Sequence, residues 1–191
     1  MTITVSTESI RNGVDTAQLF DTLDAVVGDP SLGRFQFRVS NEWVAGAHNR
    51  GTIRGFYGAG QEDTSRAEAF VIDAGEPAVL CGFDTGPNPA ELLLSALAAC
   101  LTTSLVYVAA ARKVTLTSVS STVEGDMDVR GALGLSDEVR NGFERIRVHF
   151  HVEGDAPAEK LQQLVERACR RSAVFDMVTN GAPVSVEADP A

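Results

Sequence analysis

Three cysteines are the residues of this 191-residue chain whose chemistry could matter most: Cys81, Cys100 and Cys169. A thiolate attacks peroxides and binds metals, whereas a buried neutral thiol behaves as a small apolar group. Small alanines surround Cys100, and apolar neighbours raise the pKa of a thiol, so its local sequence alone favours a structural role. Cys81 is interpreted as structural because neither a helix nor a basic residue adjoins it. An odd cysteine count, with no signal-like segment after Met1, predicts a reduced cytoplasmic protein.

The remaining reactive residue types form no recognised site in the sequence. His48, His149 and His151 show no zinc-binding spacing with the cysteines, and no glycine-rich phosphate loop is present. The formal charge of −10 would repel nucleic acid and anionic membrane surfaces. The sequence therefore predicts no metal, no cofactor and no nucleic-acid partner.

The N-terminal half is predicted to contain one helix followed mainly by sheet. Apolar residues at helical spacing predict the helix over 14–27. Alternating runs over 35–43 and 53–57 predict an antiparallel hairpin with its turn between Gly46 and Gly51. Further short strands are expected over 69–72 and 78–80.

A long helix is predicted to begin at Pro89. Asn88 can cap its N-terminus, and Glu91 is spaced to complete a capping box. Residues 92–111 then run without a charge, about the length of a membrane span. Hydroxyl side chains within this run favour a buried central helix over a membrane span.

The C-terminal half is predicted to alternate strand, loop, strand and helix. Strands are expected over 114–123 and 146–152, separated by a loop rich in Asp and Gly over 125–142. A helix over 155–172 and a closing strand over 184–186 complete the prediction. The fold class is therefore α+β with antiparallel sheets.

Several of these segments together resemble the OsmC/Ohr family of proteins. Residues 88–93 (NPAELL), 96–100 (ALAAC) and 105–107 (LVY) resemble the family's nucleophile helix. The resemblance continues through residues 123–126 (VEGD), 146–149 (IRVH) and the late helix.

The resemblance implies a sheet wrapped around central helices in an intertwined homodimer, with two sites each built from both subunits. It also implies that Cys100 attacks an organic or inorganic hydroperoxide, becomes a sulfenic acid and is captured by a second cysteine as a disulfide. Residues 34–191 would form the OsmC-like domain, and residues 1–33 an N-terminal extension with a helix.

This chain departs from the family at the position of the second cysteine, which is Ser172. A serine cannot form the disulfide, so an external thiol would have to reduce the sulfenic acid. Cys169 lies about one helical turn earlier and is the candidate replacement. Its alternative role is that of a small buried apolar residue.

A second departure concerns a carboxylate that, in the family, directly follows the Asn-Pro pair and pairs with an arginine near the thiolate. Here that position is Ala90. Glu91 projects nearly opposite Cys100 on a regular helix, so capping is the favoured interpretation over a catalytic role. The implied arginine would come from the N-terminal hairpin, although hairpin residues of this kind are more often solvated than catalytic. The candidates for this position are Arg54 first, then Arg50, with His48 as a neighbour.

Two functions remain open on the sequence. One is a peroxidase or peroxiredoxin-type enzyme that acts through Cys100 with an external thiol reductant. The other is a non-catalytic OsmC-like protein that binds a small apolar ligand, and a redox sensor using only the sulfenic state lies between them. An active enzyme needs Cys100 ionised and accessible near neutral pH.

Overall fold

The computed structural model describes residues 9–190. They form two compact units, of which unit 1 is Asp15–Leu93 with Ser9, and unit 2 is Ile10–Val14 with residues 94–190. The helices and strands in chain order are β1 (Ile10–Arg11), β2 (Val14–Asp15), α1 (Thr16–Gly28), β3 (Gln36–Phe37), β4 (Ser40–Ala45), β5 (His48–Ile53), β6 (Phe56–Gly58), β7 (Gln61–Asp63), β8 (Phe70–Ala74), α2 (Pro89–Ala111), β9 (Leu116–Asp126), α3 (Val129–Ala132), β10 (Arg145–Gly154), α4 (Ala158–Cys169) and α5 (Ala173–Asn180). The predicted α+β class with antiparallel sheets is confirmed.

Unit 1 contains α1 and two three-stranded antiparallel sheets, with strand orders β4-β5-β8 and β3-β6-β7. The predicted helix over 14–27 is confirmed as α1, and the Asp15 carboxylate caps it. The predicted hairpin is confirmed as β4 and β5, but its turn is shorter than expected. Gly46 adopts a φ of 56°, which a glycine accepts without strain, so Ala45 already pairs with His48 across the turn.

The strand predicted over 78–80 is wrong, because Ala78–Leu80 forms a short 3-10 helix. The backbone N–H groups of Cys81 and Gly82 donate to the carbonyls of Ala78 and Pro77 at 3.0 and 3.1 Å. A Cβ on Gly82 would lie 1.7 Å from the carbonyl oxygen of Glu76. The turn is therefore too tight for an extended segment.

Unit 2 is built on a long antiparallel pair of strands, β9 and β10, with Val148 opposite Val123 and Val152 opposite Val119. The two predicted strands are confirmed, although β9 begins at Leu116 rather than at residue 114 and continues to Asp126, and β10 extends beyond both predicted ends. One face of the pair packs on a core from α2, α4 and the segment between α2 and β9. The buried members of that core are Leu105, Ala109, Val114, Leu164 and Ala168.

The central helix α2 is buried along one face only in the single chain. Its buried side chains Leu97, Leu101, Leu105 and Ala109 recur every four residues, whereas 48% of Tyr107 is exposed. By length and composition α2 could also cross a membrane. One such helix is only weak evidence for a membrane span, because the core helix of a soluble protein passes the same test. Because this buried stripe packs in the core, it fixes the orientation of α2 and therefore the direction of its other faces, including the one that carries Cys100.

Three further differences from the predictions lie in unit 2. The helix predicted over 155–172 ends at Cys169, and a separate helix, α5, begins after Ser172 because the Ser172 side chain caps it. Residues 129–132, expected in a loop, form α3. The strand predicted over 184–186 is wrong: these residues have no strand partner within residues 9–190, and 84% of Val184 is exposed.

Candidate thiol site at Cys100

Cys100 lies on the face of α2 that meets the junction between α4 and α5. The hydroxyl groups of Ser172 and Ser104 and the backbone N–H groups of Ala173 and Val174 are the hydrogen-bond donors around its sulfur. Ser104 follows Cys100 by four residues and shares its face of α2. The site therefore brings together two helices: one supplies the thiol, and the N-terminus of the other supplies most of the donors.

Ser172 is the buried polar residue at the centre of this arrangement, with 2% of its surface exposed. Its Oγ accepts the backbone N–H of Phe175 at 3.2 Å and so caps α5. Because a serine hydroxyl can accept and donate at the same time, its proton is left for the sulfur of Cys100. One side chain thus caps the helix and can donate to the sulfur of Cys100.

Two opposing effects set the pKa of Cys100. Burial raises it, and the donors from Ser172, Val174, Ala173 and Ser104 together outweigh burial, so the pKa is lowered from its ordinary value. The positive end of the α5 dipole acts in the same direction. Cys100 therefore carries more thiolate near neutral pH than an ordinary cysteine, which is the property that a nucleophilic thiol needs.

Cys169 has the opposite environment. It is the last residue of α4, at the negative end of that helix. Burial raises the pKa of Cys169, and hydrogen bonding to its own backbone and the nearby charge of Arg170 offset this only in part. Cys81, Cys100 and Cys169 are free thiols, and Cys81 is exposed.

The predicted capping box at the start of α2 is confirmed. The Asn88 side chain accepts the backbone N–H of Glu91 at 2.8 Å, and the Glu91 carboxylate accepts the backbone N–H of Asn88 at 2.9 Å. Glu91 is thus committed to the first turn of the helix. A catalytic role for Glu91 stays a prediction.

The candidate arginines belong to unit 1 and differ in what they bind. Arg54 donates to the backbone carbonyls of Arg66 and Ala67 at 3.5 and 3.2 Å. Arg50 donates through Nε to the Asp73 carboxylate at 2.9 Å, and His48 Nε2 lies 2.7 Å from the same oxygen. These contacts with His48 and Arg50 lower the pKa of Asp73.

Arg54 thus binds two backbone carbonyl groups, whereas Arg50 and His48 both contact the Asp73 carboxylate. A role for either arginine beside the thiolate stays a prediction.

The sequence reasoning missed Ser104, the two backbone donors and the function of Ser172. The four-residue spacing between Cys100 and Ser104 was a usable signal. The break between α4 and α5 was hidden because apolar residues keep helical spacing up to Ser172. Among residues 9–190 no three His, Cys, Asp or Glu side chains are grouped so as to hold a metal ion.

Comparison with known proteins places the fold. A model of the OsmC-like protein family matches residues 82–187. An OsmC-like protein from Mycoplasma pneumoniae is 14% identical over 76% of this chain and 88% of that chain, with a TM-score of 0.58. An organic hydroperoxide resistance protein OsmC from Legionella pneumophila is 20% identical over 76% and 91%, with a TM-score of 0.52. An organic hydroperoxide resistance protein from Elizabethkingia anophelis is 19% identical over 76% and 89%, with a TM-score of 0.51.

These solved structures show a shared fold, and a sequence comparison with curated proteins gave no match. The matched family segment contains Cys100, Ser172 and both strands of the long pair. It covers more than half of the chain, which therefore belongs to the OsmC-like protein family.

Proposed function

We propose that this protein is a one-cysteine thiol peroxidase that reduces organic or inorganic hydroperoxides through Cys100. The observation that carries the proposal is the set of hydrogen-bond donors that surrounds the Cys100 sulfur and favours its thiolate. Two proteins of similar fold are described as organic hydroperoxide resistance proteins, which supports a general role in peroxide stress.

The chemistry requires a single displacement at oxygen. The Cys100 thiolate attacks one oxygen of the hydroperoxide, a sulfur–oxygen bond forms and the oxygen–oxygen bond breaks. The leaving alkoxide takes a proton and departs as an alcohol, or as water from hydrogen peroxide. Cys100 is oxidised by two electrons to sulfenic acid.

The reductant in this scheme is an external thiol. Ser172 stands beside the sulfur but cannot form a disulfide, and the raised pKa of Cys169 makes it a poor thiolate. An external thiolate attacks the sulfenic sulfur and water leaves. A second thiol then releases Cys100 from the mixed disulfide.

We further propose that the protein acts as a homodimer. Large apolar side chains of unit 1 face solvent in the single chain, with 73% of Phe37, 75% of Trp43 and 61% of Phe70 exposed. A monomeric soluble protein rarely leaves so many apolar side chains uncovered. Light scattering should give twice the chain mass of 20.3 kDa, and a mass of one chain would contradict the homodimer.

The cytoplasm is the proposed location. Three free thiols are stable where glutathione and thioredoxin keep cysteines reduced. When cells of the native host are fractionated, we expect the protein in the soluble cytoplasmic fraction with its cysteines reduced.

The test is peroxide consumption by the purified protein, with cumene hydroperoxide and hydrogen peroxide as separate substrates. Dithiothreitol, dihydrolipoamide and glutathione serve as alternative reductants. We expect Cys100→Ser to abolish consumption and sulfenic-acid labelling, and Cys169→Ser to leave both close to the wild-type level. Cys81→Ser is the matched control, because Cys81 is an exposed thiol.

The result separates the alternatives. Loss of turnover in Cys169→Ser would make Cys169 the resolving thiol and contradict the one-cysteine scheme. Labelling of Cys100 without turnover by any reductant would indicate a redox sensor. Neither consumption nor labelling in the wild type would overturn the peroxidase and leave a ligand-binding protein.

A further inference from the structure

Unit 2 contains a second feature that the chemistry of Cys100 does not use, a polar cavity of about 450 Å³ along α4. Four cationic side chains line it, together with one carboxylate, Glu166. The cations are Arg112, Lys160, Arg167 and Arg170.

The helical spacing of α4 creates this lining. Lys160, Gln163 and Arg167 lie three and four residues apart and so share one face of the helix. Leu164 also lines the cavity and is buried in the core of unit 2, with 4% of its surface exposed. The cavity therefore lies against the packed core. Arg112 comes from the segment directly after α2, and Arg170 from the segment directly after α4.

The positive charge of the cavity is compensated only in part, because one carboxylate, Glu166, lines it beside four cations. Within residues 9–190, no side-chain hydrogen bond or ion pair satisfies Arg112, Lys160, Arg167 or Arg170. The whole chain has a formal charge of −10, so carboxylates were available to pair with them. Like charges held around one cavity repel each other, and an anion in the cavity would relieve that repulsion.

Helix dipoles account for only part of the arrangement. Arg167 lies in the last turn of α4, where a cation stabilises the helix, and Arg112 follows the C-terminus of α2 in the same way. Lys160 lies in the first turn of α4, where a cation is unfavourable. Its presence on the cavity face needs another reason.

We propose that this cavity binds a small phosphate-bearing molecule. Arginine guanidinium groups match the geometry of phosphate oxygens and form paired hydrogen bonds with them. The volume exceeds what a bare ion needs and falls in the range of small-ligand pockets. The Gln163 amide can bind the polar remainder of such a molecule. The proposal is independent of peroxide chemistry at Cys100.

Isothermal titration calorimetry with inorganic pyrophosphate, at 150 mM sodium chloride and without divalent cations, tests this site. We expect one binding site per chain, and about tenfold weaker binding in Arg112→Gln and in Arg167→Gln, because each loses a charged hydrogen bond. Arg140→Gln is the matched control, since Arg140 is an exposed arginine of unit 2 that does not line the cavity. Its affinity should stay within about twofold of the wild type.

A second measurement needs no variant and so does not depend on folding of the substituted chains. Pyrophosphate should protect Arg112 and Arg167 of the wild-type protein from phenylglyoxal and leave Arg140 reactive. Absence of binding, an equal loss of affinity in Arg140→Gln, or equal protection of the three arginines would each overturn the proposal. Citrate serves as the carboxylate probe, and binding as tight as that of pyrophosphate would overturn the assignment to phosphate.

Discussion

Cys100 and Cys169 are two thiols of the same unit whose surroundings drive their chemistry in opposite directions. Cys100 meets the N-terminus of α5, where the Ser172 hydroxyl and two backbone N–H groups point at its sulfur. Cys169 ends α4, at the end of a helix where backbone carbonyls predominate. The pKa of the first thiol is lowered, and that of the second is raised.

The comparison shows that burial alone does not decide the reactivity of a cysteine. Both thiols are partly buried, and burial raises the pKa of each. What separates them is which end of a helix each one meets. Ser172, which the resemblance predicts to occupy the resolving position of the family, supplies a donor to the Cys100 sulfur and a cap to α5.

The largest effect is expected from Ser172→Cys, which places a second thiol at the position from which the hydroxyl contacts Cys100. After one equivalent of hydroperoxide, the new thiolate should attack the sulfenic acid, form a disulfide and release water. Mass spectrometry should find a chain two hydrogens lighter with Cys100 linked to residue 172. The wild type should instead keep a sulfenic acid that dimedone labels.

The control for this variant is Ser172→Cys with Cys169→Ser, which removes the other thiol of the junction. The same disulfide should form in it. If Cys100 is labelled by dimedone to the wild-type level in both variants, the two side chains do not meet as the structure describes.

Much of the fold could be predicted because local signals agree with the tertiary structure. The capping box at Asn88 and Glu91, the helix α1 and the alternation in β9 and β10 each depend on neighbours in sequence. The prediction failed where packing decides. Residues 184–186 alternate like a strand, yet no described strand of the chain pairs with them.

The next effect in size is expected from Ser172→Ala. The variant loses a hydrogen bond to a charged sulfur, so the pKa of Cys100 should rise. At any pH below both pKa values the thiolate fraction, and with it the rate of alkylation by iodoacetamide, should fall about tenfold. The pH–rate curve of Cys100 should move toward higher pH and approach the curve of Cys169.

Ser172→Ala also removes a helix cap, which costs about 1 kcal/mol of stability. Asp15→Ala is the matched control, because Asp15 caps α1 in unit 1 through the same kind of bond. It should lower the melting temperature and leave alkylation of Cys100 unchanged. An equal slowing in Asp15→Ala would show that lost stability, not the missing donor, controls the thiol.

The candidate site was less predictable than the fold, and the reason is physical. Cys100 stood out only through a resemblance, because its neighbours in sequence are alanines that would raise its pKa. The groups that lower the pKa come from residues 172–174, which are distant in sequence, and two of them are backbone N–H groups that every residue except proline carries. A pattern of side chains does not reveal where such groups will point.

The smallest effect is expected from Ala173→Pro, which deletes a single backbone donor. Proline is favoured at the first position of a helix, and Ser172 already has the extended conformation, φ −82° and ψ 116°, that a residue before proline prefers. The Ala173 side chain is exposed, so the ring has room, while Ser172 and Val174 still donate to the sulfur. Alkylation of Cys100 near neutral pH should slow by about threefold, less than in Ser172→Ala. Ala173→Gly keeps the N–H group and should react like the wild type. If the proline and glycine variants react alike, the backbone of residue 173 does not contribute to holding the thiolate.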